Sequence, residues 1–322
     1  MHLVRFSHFQ PNPLYESVVE GVELFHNADC DAIMAIGGGS AIDVAKCIKL
    51  FNNMDHSRNY LEQTITPNDI PFLAMPTTAG TGSEATRYAV IYYEGAKQSV
   101  TDNSCIPSVV LMDNSVLKTL PDYQKKSTML DALCHAIESY WSVNSTDESK
   151  AYSREAIYLV LANMDGYLNN EDTGNEGMLM AANTAGKAIN ITQTTAGHAM
   201  CYKVTSLFGC AHGHAAALCV RKLFPWMITH TERCIDPRGR AYLEKTLDGM
   251  AEAMGCDKVT DAARKFEDIF NRLEMAVPVA TEKEFTILNS SVNPIRLKNH
   301  PVLLDEETID QLYHDILREA KQ

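Results

Sequence analysis

The pattern of apolar and polar residues changes once along the chain, near residue 120. Before that point, short apolar runs alternate with amphipathic segments. The runs that predict strands lie at residues 3–6, 30–36, 72–75, 88–93 and 108–112. Between them, apolar residues recur at helical spacing in residues 14–28 and again from residue 41, which predicts helices. Strands and helices that alternate in this way are typical of an α/β domain.

After residue 120 the strand signals disappear and long amphipathic patterns follow. They predict helices at residues 122–143, 147–169, 175–191, 196–209, 212–229 and, with breaks, 241–273. We therefore expect an α/β domain over residues 1–120 and an all-helical domain over residues 121–322, with the boundary at Leu120-Pro121. A site that uses both domains would lie in the cleft between them.

Composition narrows the class of protein. The chain has 322 residues, 45% of them hydrophobic, and a net charge of −13, which argues against binding to nucleic acid or to an anionic membrane. Nine cysteines without a CxxC pair indicate reduced thiols. No apolar run approaches the roughly 18 residues of a membrane span, and the N-terminus lacks the apolar core of a signal peptide. We expect a soluble, cytoplasmic protein that acts on a small molecule.

Two loops carry residues that suit phosphate binding. Gly37, Gly38, Gly39 and Ser40 stand between a predicted strand and a predicted helix, where free backbone N–H groups and the helix dipole favour an anion. The strand at residues 72–75 is followed by a second loop, rich in threonine, glycine and serine. Ordinary capped turns remain the alternative for both loops.

A second group of residues suits a metal. Asp131 and His135 are four residues apart in a predicted helix, so their side chains project from the same face. His198, His212 and His214 follow among small and apolar residues. A carboxylate with imidazoles forms a good ligand set for iron or zinc. The alternative is that each histidine is a buried structural residue.

Four stretches resemble the iron-containing (group III) alcohol dehydrogenases. They are GGGSAIDVAK from residue 37, PTTAGTGSE from residue 76, DALCHAIE from residue 131 and GHAMCYKVTSLFGCAHGH from residue 197. The resemblance extends over essentially the whole chain. It implies a Rossmann-like domain followed by a helical domain, with Fe²⁺, or alternatively Zn²⁺, held by Asp131, His135, His198 and His212.

The same resemblance assigns residues to a dinucleotide. It implies that the glycine loop holds the pyrophosphate, with Asp43 and Lys46 in the expected places. Cofactor contacts are expected from the threonines of the second loop, namely Thr77, Thr78 and Thr81. Lys97 matches a family lysine that reaches the nicotinamide ribose, and its alternative is a solvated turn lysine.

The chain departs from the family pattern at its N-terminus. It starts near the second strand of a strand–helix–strand unit that family members carry, so we expect a Rossmann-like domain without its first βα unit. The sequence is then either a truncated version or one whose true start lies upstream. The residue that separates NAD from NADP is expected in that unit, and the cofactor is left as NAD(P).

A second departure concerns the proton step. The family often has a histidine four residues after the first ligand of its second stretch, and here that position is Tyr202. Tyr202 and His214 are therefore the candidates for catalytic proton transfer. His214 is equally well interpreted as a histidine that bonds to a ligand or lies at the surface.

The predicted reaction is reduction of a small aldehyde by NAD(P)H with help from the metal. Within the family, two stretches look most like the members that reduce phosphonoacetaldehyde to 2-hydroxyethylphosphonate. A phosphonate needs cationic donors, and the candidates are Arg87, Lys187, Lys203, Arg296 and Lys298. Lys203 is preferred because it follows His198 by five residues in one predicted helix.

Other functions remain open at this point. A general short-chain alcohol dehydrogenase of the same family is the nearest alternative. A lyase of the dehydroquinate-synthase type, which uses NAD and a metal, and an inactive truncated scaffold come from other classes. For the oligomeric state the interpretation goes no further than a homodimer.

Overall fold

A three-stranded parallel sheet forms the centre of the N-terminal part. The computed structural model describes residues 2–320. The strands of this part are β1 (Ile33–Gly37), β2 (Phe72–Pro76), β3 (Tyr88–Tyr93), β4 (Ala96–Thr101) and β5 (Val109–Val110). β2 is the middle strand of the sheet and pairs in parallel with β1 and with β5. Because β1 and β2 pair over their whole lengths, the two loops that follow them leave the same edge of the sheet.

Two helices accompany this sheet, α1 (Tyr15–Asn27) and α2 (Gly39–Phe51). α2 packs on one face, where Ile42 joins Ala35 and Ala74 in a buried apolar cluster. α1 packs against α2 and β3 and shares a second buried apolar cluster with them. The glycine loop between β1 and α2 is thereby placed at the carboxyl end of a strand, which is the usual place for ligands in such sheets.

The opposite face of the sheet is apolar and exposed. Met34 of β1 lies opposite Leu73 of β2, which lies opposite Val109 of β5, so the three side chains share this face. Met34, Ile36 and Val109 are 55%, 58% and 55% exposed. The sheet thus has one face that α2 covers and one apolar face that is exposed, and an exposed apolar face of this kind is unusual in a folded protein.

The β-rich stretch predicted at residues 88–93 is confirmed as β3, and it forms an antiparallel hairpin with β4. Sequence reasoning missed β4, although Glu94 and Gly95 both have positive φ, 49° and 76°, as in a tight hairpin turn. The strand predicted at residues 3–6 is wrong. Phe6 from that segment instead packs against the apolar cluster of α1 and α2.

The C-terminal part is helical, as predicted. Its helices are α3 (Asp122–Trp141), α4 (Asp147–Leu168), α5 (Asp172–Thr192), α6 (Ala196–Phe208), α7 (His212–Thr229), α8 (Arg240–Ala253), α9 (Val259–Arg272), α10 (Glu282–Ser291), α11 (Pro294–Leu297) and α12 (Glu306–Ile316). Short strands β6 (Val279–Ala280) and β7 (Arg318–Glu319) pair in parallel. The predicted pattern at 241–273 is split into α8 and α9 at Gly255, which has a φ of 68°. Helices α10 to α12 were not predicted.

α3 is the central helix of this part and packs against α4, α5 and α7. Every residue from 129 to 141 is buried, because neighbours surround the helix on all sides. Within residues 2–320, no helix has the length and apolar character that a membrane crossing requires.

The two parts of the chain meet where the second loop packs on α5. Gly82 has a φ of 59°, and a Cβ atom there would lie 2.6 Å from the Cα atom of Gly186. Only glycine permits this approach. Nearby, the Asn183 amide donates a hydrogen bond to Glu84 Oε1 at 3.1 Å. The loop after β2 is therefore fixed against the helical part.

Candidate active site

A cavity of about 480 Å³ lies between the two parts of the chain. Residues from β3, β4, α3, α6, α7 and α11 line it together with the second loop. The residues predicted from sequence that line this cavity are Asp43, Thr81, Lys97, Asp131, His135, His198, Tyr202, His212 and Arg296.

The predicted metal ligands converge at one end of this cavity. α3 presents Asp131 and His135 one turn apart, α6 contributes His198, and α7 begins at His212. The Nε2 atoms of His135, His198 and His212 lie 3.8, 3.5 and 4.0 Å from the same oxygen, Oδ1 of Asp131. Residues 81 positions apart in sequence thus meet around one carboxylate oxygen.

These side chains fit a divalent metal ion. Ligand atoms of Asp131, His198 and His212 all lie within 4.8 Å of one another. Oδ1 of Asp131 and Nε2 of His198 are buried and have no hydrogen-bond partner among the described residues, which is costly unless a cation satisfies them. His135 stacks on His198 with ring centroids 4.6 Å apart and is adjacent to this group.

Electrostatics at the metal end favour the ligand forms of three of these groups. Burial alone would raise the pKa of Asp131, but the neighbouring imidazoles hold it below its usual range. Burial lowers the pKa of His212 to about 3 and also lowers the pKa of His135, despite the nearby carboxylate. Neutral imidazoles and an ionised carboxylate are the forms that bind metals.

His198 differs because it has a second acidic neighbour, Glu138. Burial would lower the pKa of His198, but Glu138 and Asp131 stabilise its cation and raise the pKa to about 9. Metal binding at His198 must therefore release a proton.

Glu138 fixes the orientation of His198, and sequence reasoning missed it. Its buried carboxylate accepts hydrogen bonds from the Nδ1 atom and the backbone N–H of His198 and from the backbone and hydroxyl of Thr195. This leaves Nε2 of His198 facing Asp131. A signal was present, since Glu138 follows Asp131 by seven residues, two turns of a helix, and so shares its face.

The two phosphate-type loops lie face to face. A Cβ atom on Gly38 would lie 3.2 Å from the Thr78 side chain, and one on Gly39 would lie 3.0 Å from Thr81. Gly38 is the N-cap of α2 and has no side-chain cap, so the first N–H groups of α2 are available to an anion. The structure thus brings the predicted glycine and threonine loops together.

Asp43 and Lys46 connect these loops. Asp43 accepts hydrogen bonds from the Ser83 hydroxyl at 2.6 Å and from the backbone of Val90 at 3.1 Å. Lys46 is fully buried and donates to the carbonyl oxygens of Ser83 and Thr86 at 2.6 and 2.7 Å. The Lys46 ammonium is engaged by the protein itself, so it braces the second loop.

Three further residues line the cavity next to His212. The ammonium of Lys97 lies 3.4 Å from the ring centroid of Tyr202, and the Tyr202 hydroxyl accepts a hydrogen bond from Nη1 of Arg296 at 2.9 Å. The ring of Tyr202 stacks on His212 with centroids 5.6 Å apart. Lys97 therefore faces the cavity, in contrast to the solvated-turn alternative.

Several predicted residues do not line this cavity. Among them, Nδ1 of His214 bonds to the Tyr123 hydroxyl at 3.0 Å, and its ring packs against Phe270. Of the proposed anion ligands, the structure brings only Arg296 to the cavity. The others are Arg87, whose Nε donates to Tyr88, Lys187, Lys203 and Lys298. Gly37, Ser40 and Thr77 lie at the loop junction, where Thr77 N–H donates to Gly37 O.

Comparison with known proteins agrees with this geometry. The family model of the iron-containing alcohol dehydrogenases matches residues 1–114, and the model of the C-terminal part of that family matches residues 125–317. A phosphonoacetaldehyde reductase of Streptomyces viridochromogenes is 29% identical over 297 residues, which are 88% of this chain and 75% of that protein. A probable alcohol dehydrogenase, EutG, of Salmonella typhimurium is 31% identical over 261 residues, 78% of this chain and 66% of the relative.

A solved structure is similar over nearly the whole chain. It is that of sulfoacetaldehyde reductase from Bifidobacterium kashiwanohense in complex with NAD+. The TM-score is 0.86 and the sequences are 26% identical, over 97% of this chain and 82% of the other.

Proposed function

The chain belongs to the iron-containing alcohol dehydrogenase family, and from that premise we propose that it catalyses metal-dependent reduction of a small aldehyde by NAD(P)H. The proposed substrate is phosphonoacetaldehyde, and the product is 2-hydroxyethylphosphonate. One observation carries the choice of an anionic aldehyde: two basic side chains, Lys97 and Arg296, stand beside Tyr202 in this cavity. In this proposal Lys97 binds the substrate anion and not the nicotinamide ribose that the family resemblance assigns to it.

The charge balance supports this choice. The chain has a net charge of −13, so an anion needs local compensation to enter its cleft. Among residues 2–320, neither Lys97 nor Arg296 has a carboxylate within the 4.0 Å of an ion pair. A phosphonate between them would supply the missing negative charge, and the guanidinium suits two of its oxygens at once.

Each end of the cavity has a role in the proposed reaction. Asp131, His198 and His212, with His135, would hold the metal ion, Fe²⁺ or alternatively Zn²⁺, which acts as a Lewis acid when bound. The dinucleotide, placed at the glycine and threonine loops, supplies the reducing equivalents. The protein orients the carbonyl group between the two and binds the anion at Lys97 and Arg296.

In this proposal neither Tyr202 nor His214, the two candidates from the sequence, transfers the proton. Burial raises the pKa of Tyr202 well above its usual range, so its hydroxyl keeps its proton at neutral pH and orients its neighbours. His214 lies outside the cavity and bonds to Tyr123, which supports a structural role next to the first turn of α7.

A sulfonate aldehyde is the second candidate. The similarity to sulfoacetaldehyde reductase over 97% of the chain favours it. Both candidates carry a terminal oxyanion beside a two-carbon aldehyde, so the same pair of cations would recognise either. A phosphonate carries up to two negative charges and a sulfonate only one, so the two substrates can be distinguished by comparing their kinetics.

The test is a panel of three aldehydes, phosphonoacetaldehyde, sulfoacetaldehyde and propionaldehyde, assayed with NADH and NADPH on metal-reconstituted protein. We expect kcat/KM for phosphonoacetaldehyde to exceed that for propionaldehyde by at least about tenfold, as one charge-assisted contact requires. Equal values for all three would leave a general aldehyde reductase. Oxidation of no reduced dinucleotide with any aldehyde would contradict the reductase itself.

A further inference from the structure

We infer that Tyr202 determines substrate selectivity as a positioning residue: it holds Arg296 and Lys97 where they bind the terminal oxyanion of the aldehyde. This inference rests on the proposed reduction of an anionic aldehyde. It assigns to Tyr202 neither a proton transfer nor a contact with the carbonyl group.

Tyr202 contacts all the parts that such a role requires. Its hydroxyl accepts the hydrogen bond of Arg296 Nη1 at 2.9 Å, and the guanidinium carbon lies 4.9 Å from the ring centroid. Lys97 Nζ lies 3.4 Å from the same centroid. A charge over an aromatic face is attracted by the ring and loses freedom there. Both cations are therefore held by one side chain that also stacks on His212.

The same arrangement occurs a second time, in a purely structural setting. The hydroxyl of Tyr242 accepts a hydrogen bond from Arg238 Nη1 at 2.9 Å. Arg238 and Lys150 lie 4.1 and 4.5 Å from the Tyr242 ring centroid. There Asp236 neutralises the arginine, since its carboxylate accepts from Arg238 Nε and Nη2 at 2.9 and 2.6 Å.

The comparison shows what is missing at Tyr202. Arg238 uses all of its guanidinium nitrogens on the protein, whereas Arg296 makes one side-chain hydrogen bond among the described residues, to Tyr202. The Nε and Nη2 groups of Arg296 are therefore available to donate hydrogen bonds to a ligand in the cavity. Within residues 2–320, no carboxylate beside Arg296 and Lys97 takes the position that Asp236 occupies in the structural cluster.

The experiment compares two matched variants, Tyr202→Phe and Tyr242→Phe. Each removes one tyrosine hydroxyl that accepts from an arginine and keeps the ring under two cations. In Tyr202→Phe we expect KM for phosphonoacetaldehyde to rise on the order of tenfold. KM for propionaldehyde should rise much less than KM for phosphonoacetaldehyde, because a neutral aldehyde has no anion for the two cations to bind. Tyr242→Phe should leave both KM values unchanged, and any loss of stability is measured by Tm in both variants.

A binding measurement makes the test independent of turnover. Calorimetry with methylphosphonate should show the same loss of affinity in Tyr202→Phe and none in Tyr242→Phe. Equal changes of KM for both aldehydes, or unchanged methylphosphonate affinity, would overturn the role of Tyr202. A wild-type protein that binds methylphosphonate through Tyr202 but reduces no aldehyde would instead contradict the proposed reaction alone.

Discussion

The two halves of the cavity are built by different means. On the helical side, two carboxylates, Asp131 and Glu138, are buried among imidazoles and hydroxyl groups. Asp131 lies among three imidazoles, and Glu138 accepts four hydrogen bonds from Thr195 and His198. Such a site is held in place by the packing of α3, which is buried on all sides from residue 129 to residue 141.

On the α/β side, the site is made of backbone and small side chains. Gly38 and Gly39 approach Thr78 and Thr81 closely, and the sheet behind them leaves one apolar face exposed, with Ile36 58% exposed. The helical side therefore depends on buried carboxylates within packed helices, whereas the α/β side depends on the close approach of two loops. Substitutions should therefore affect metal and dinucleotide binding separately.

The largest effect is expected from His212→Ala. It removes one of the three groups whose ligand atoms lie within 4.8 Å of one another, so metal affinity should fall by more than the roughly 10–100-fold that loss of an outer partner costs. Metal content is measured by atomic absorption after dialysis. His214→Ala is the matched control because His214 lies two residues away but outside the cavity. One tightly held metal per chain in the His212→Ala protein would show that the metal lies elsewhere.

Glu138→Gln should have the next largest effect. The amide cannot accept from His198 and Thr195 as the carboxylate does, so the ring loses its fixed tautomer and metal affinity should fall roughly 10–100-fold. Glu84→Gln changes another buried carboxylate, at the contact with Asn183, and should leave metal affinity unchanged. An equal loss of metal affinity in both variants would mean that the loss of a buried charge explains the effect. The orientation of His198 would then play no part in it.

A substitution in the glycine loop tests the α/β side. Gly38→Val places branched carbons against Thr78, where even a Cβ atom would lie 3.2 Å away. Dinucleotide affinity, followed by fluorescence titration, should then fall by about tenfold or more, while metal content stays at the wild-type level. The Tm of the Gly38→Val protein, compared with that of wild type, measures any general loss of stability. Unchanged dinucleotide affinity in the Gly38→Val protein would place the cofactor elsewhere.

Local features of the fold and the site could be predicted from the sequence better than long-range contacts. The spacing of Asp131 and His135 identified one face of α3, because four residues make one helical turn. The same geometry argues against Lys203 as the anion ligand. A residue five positions after His198 lies about 140° away around the helix, whereas Tyr202, at four positions, shares the face of His198.

Contacts between segments that are distant in sequence could not be predicted from local sequence patterns. Arg296 meets Tyr202 across 94 positions of sequence, and its short helix α11 has only four residues. Nothing in a periodicity indicates which side of α6 such a segment will cover. The same limit applies to β4, whose pairing with β3 follows from a two-residue turn and not from an apolar pattern of its own.

The smallest effect concerns the pH dependence of anion binding. Burial, together with the charge of Arg296, lowers the pKa of Lys97 to about 7. The Lys97 ammonium is therefore present below pH 7 and is lost as the pH rises through that value. With sulfoacetaldehyde, whose sulfonate does not titrate near neutrality, KM should rise on the order of a few fold between pH 6 and pH 8. The rise stays small because the guanidinium of Arg296 keeps its charge throughout.

Two controls separate this effect from other titrations. In Lys97→Met the KM for sulfoacetaldehyde should be higher than in wild type at pH 6 and should change little up to pH 8. KM for propionaldehyde should be flat in both proteins, since a neutral aldehyde has no contact with the ammonium. If KM for propionaldehyde rises in parallel with that for sulfoacetaldehyde, the titrating group acts at the metal end or on the dinucleotide. In that case Lys97 has no share in binding the anion, and Arg296 alone must account for it.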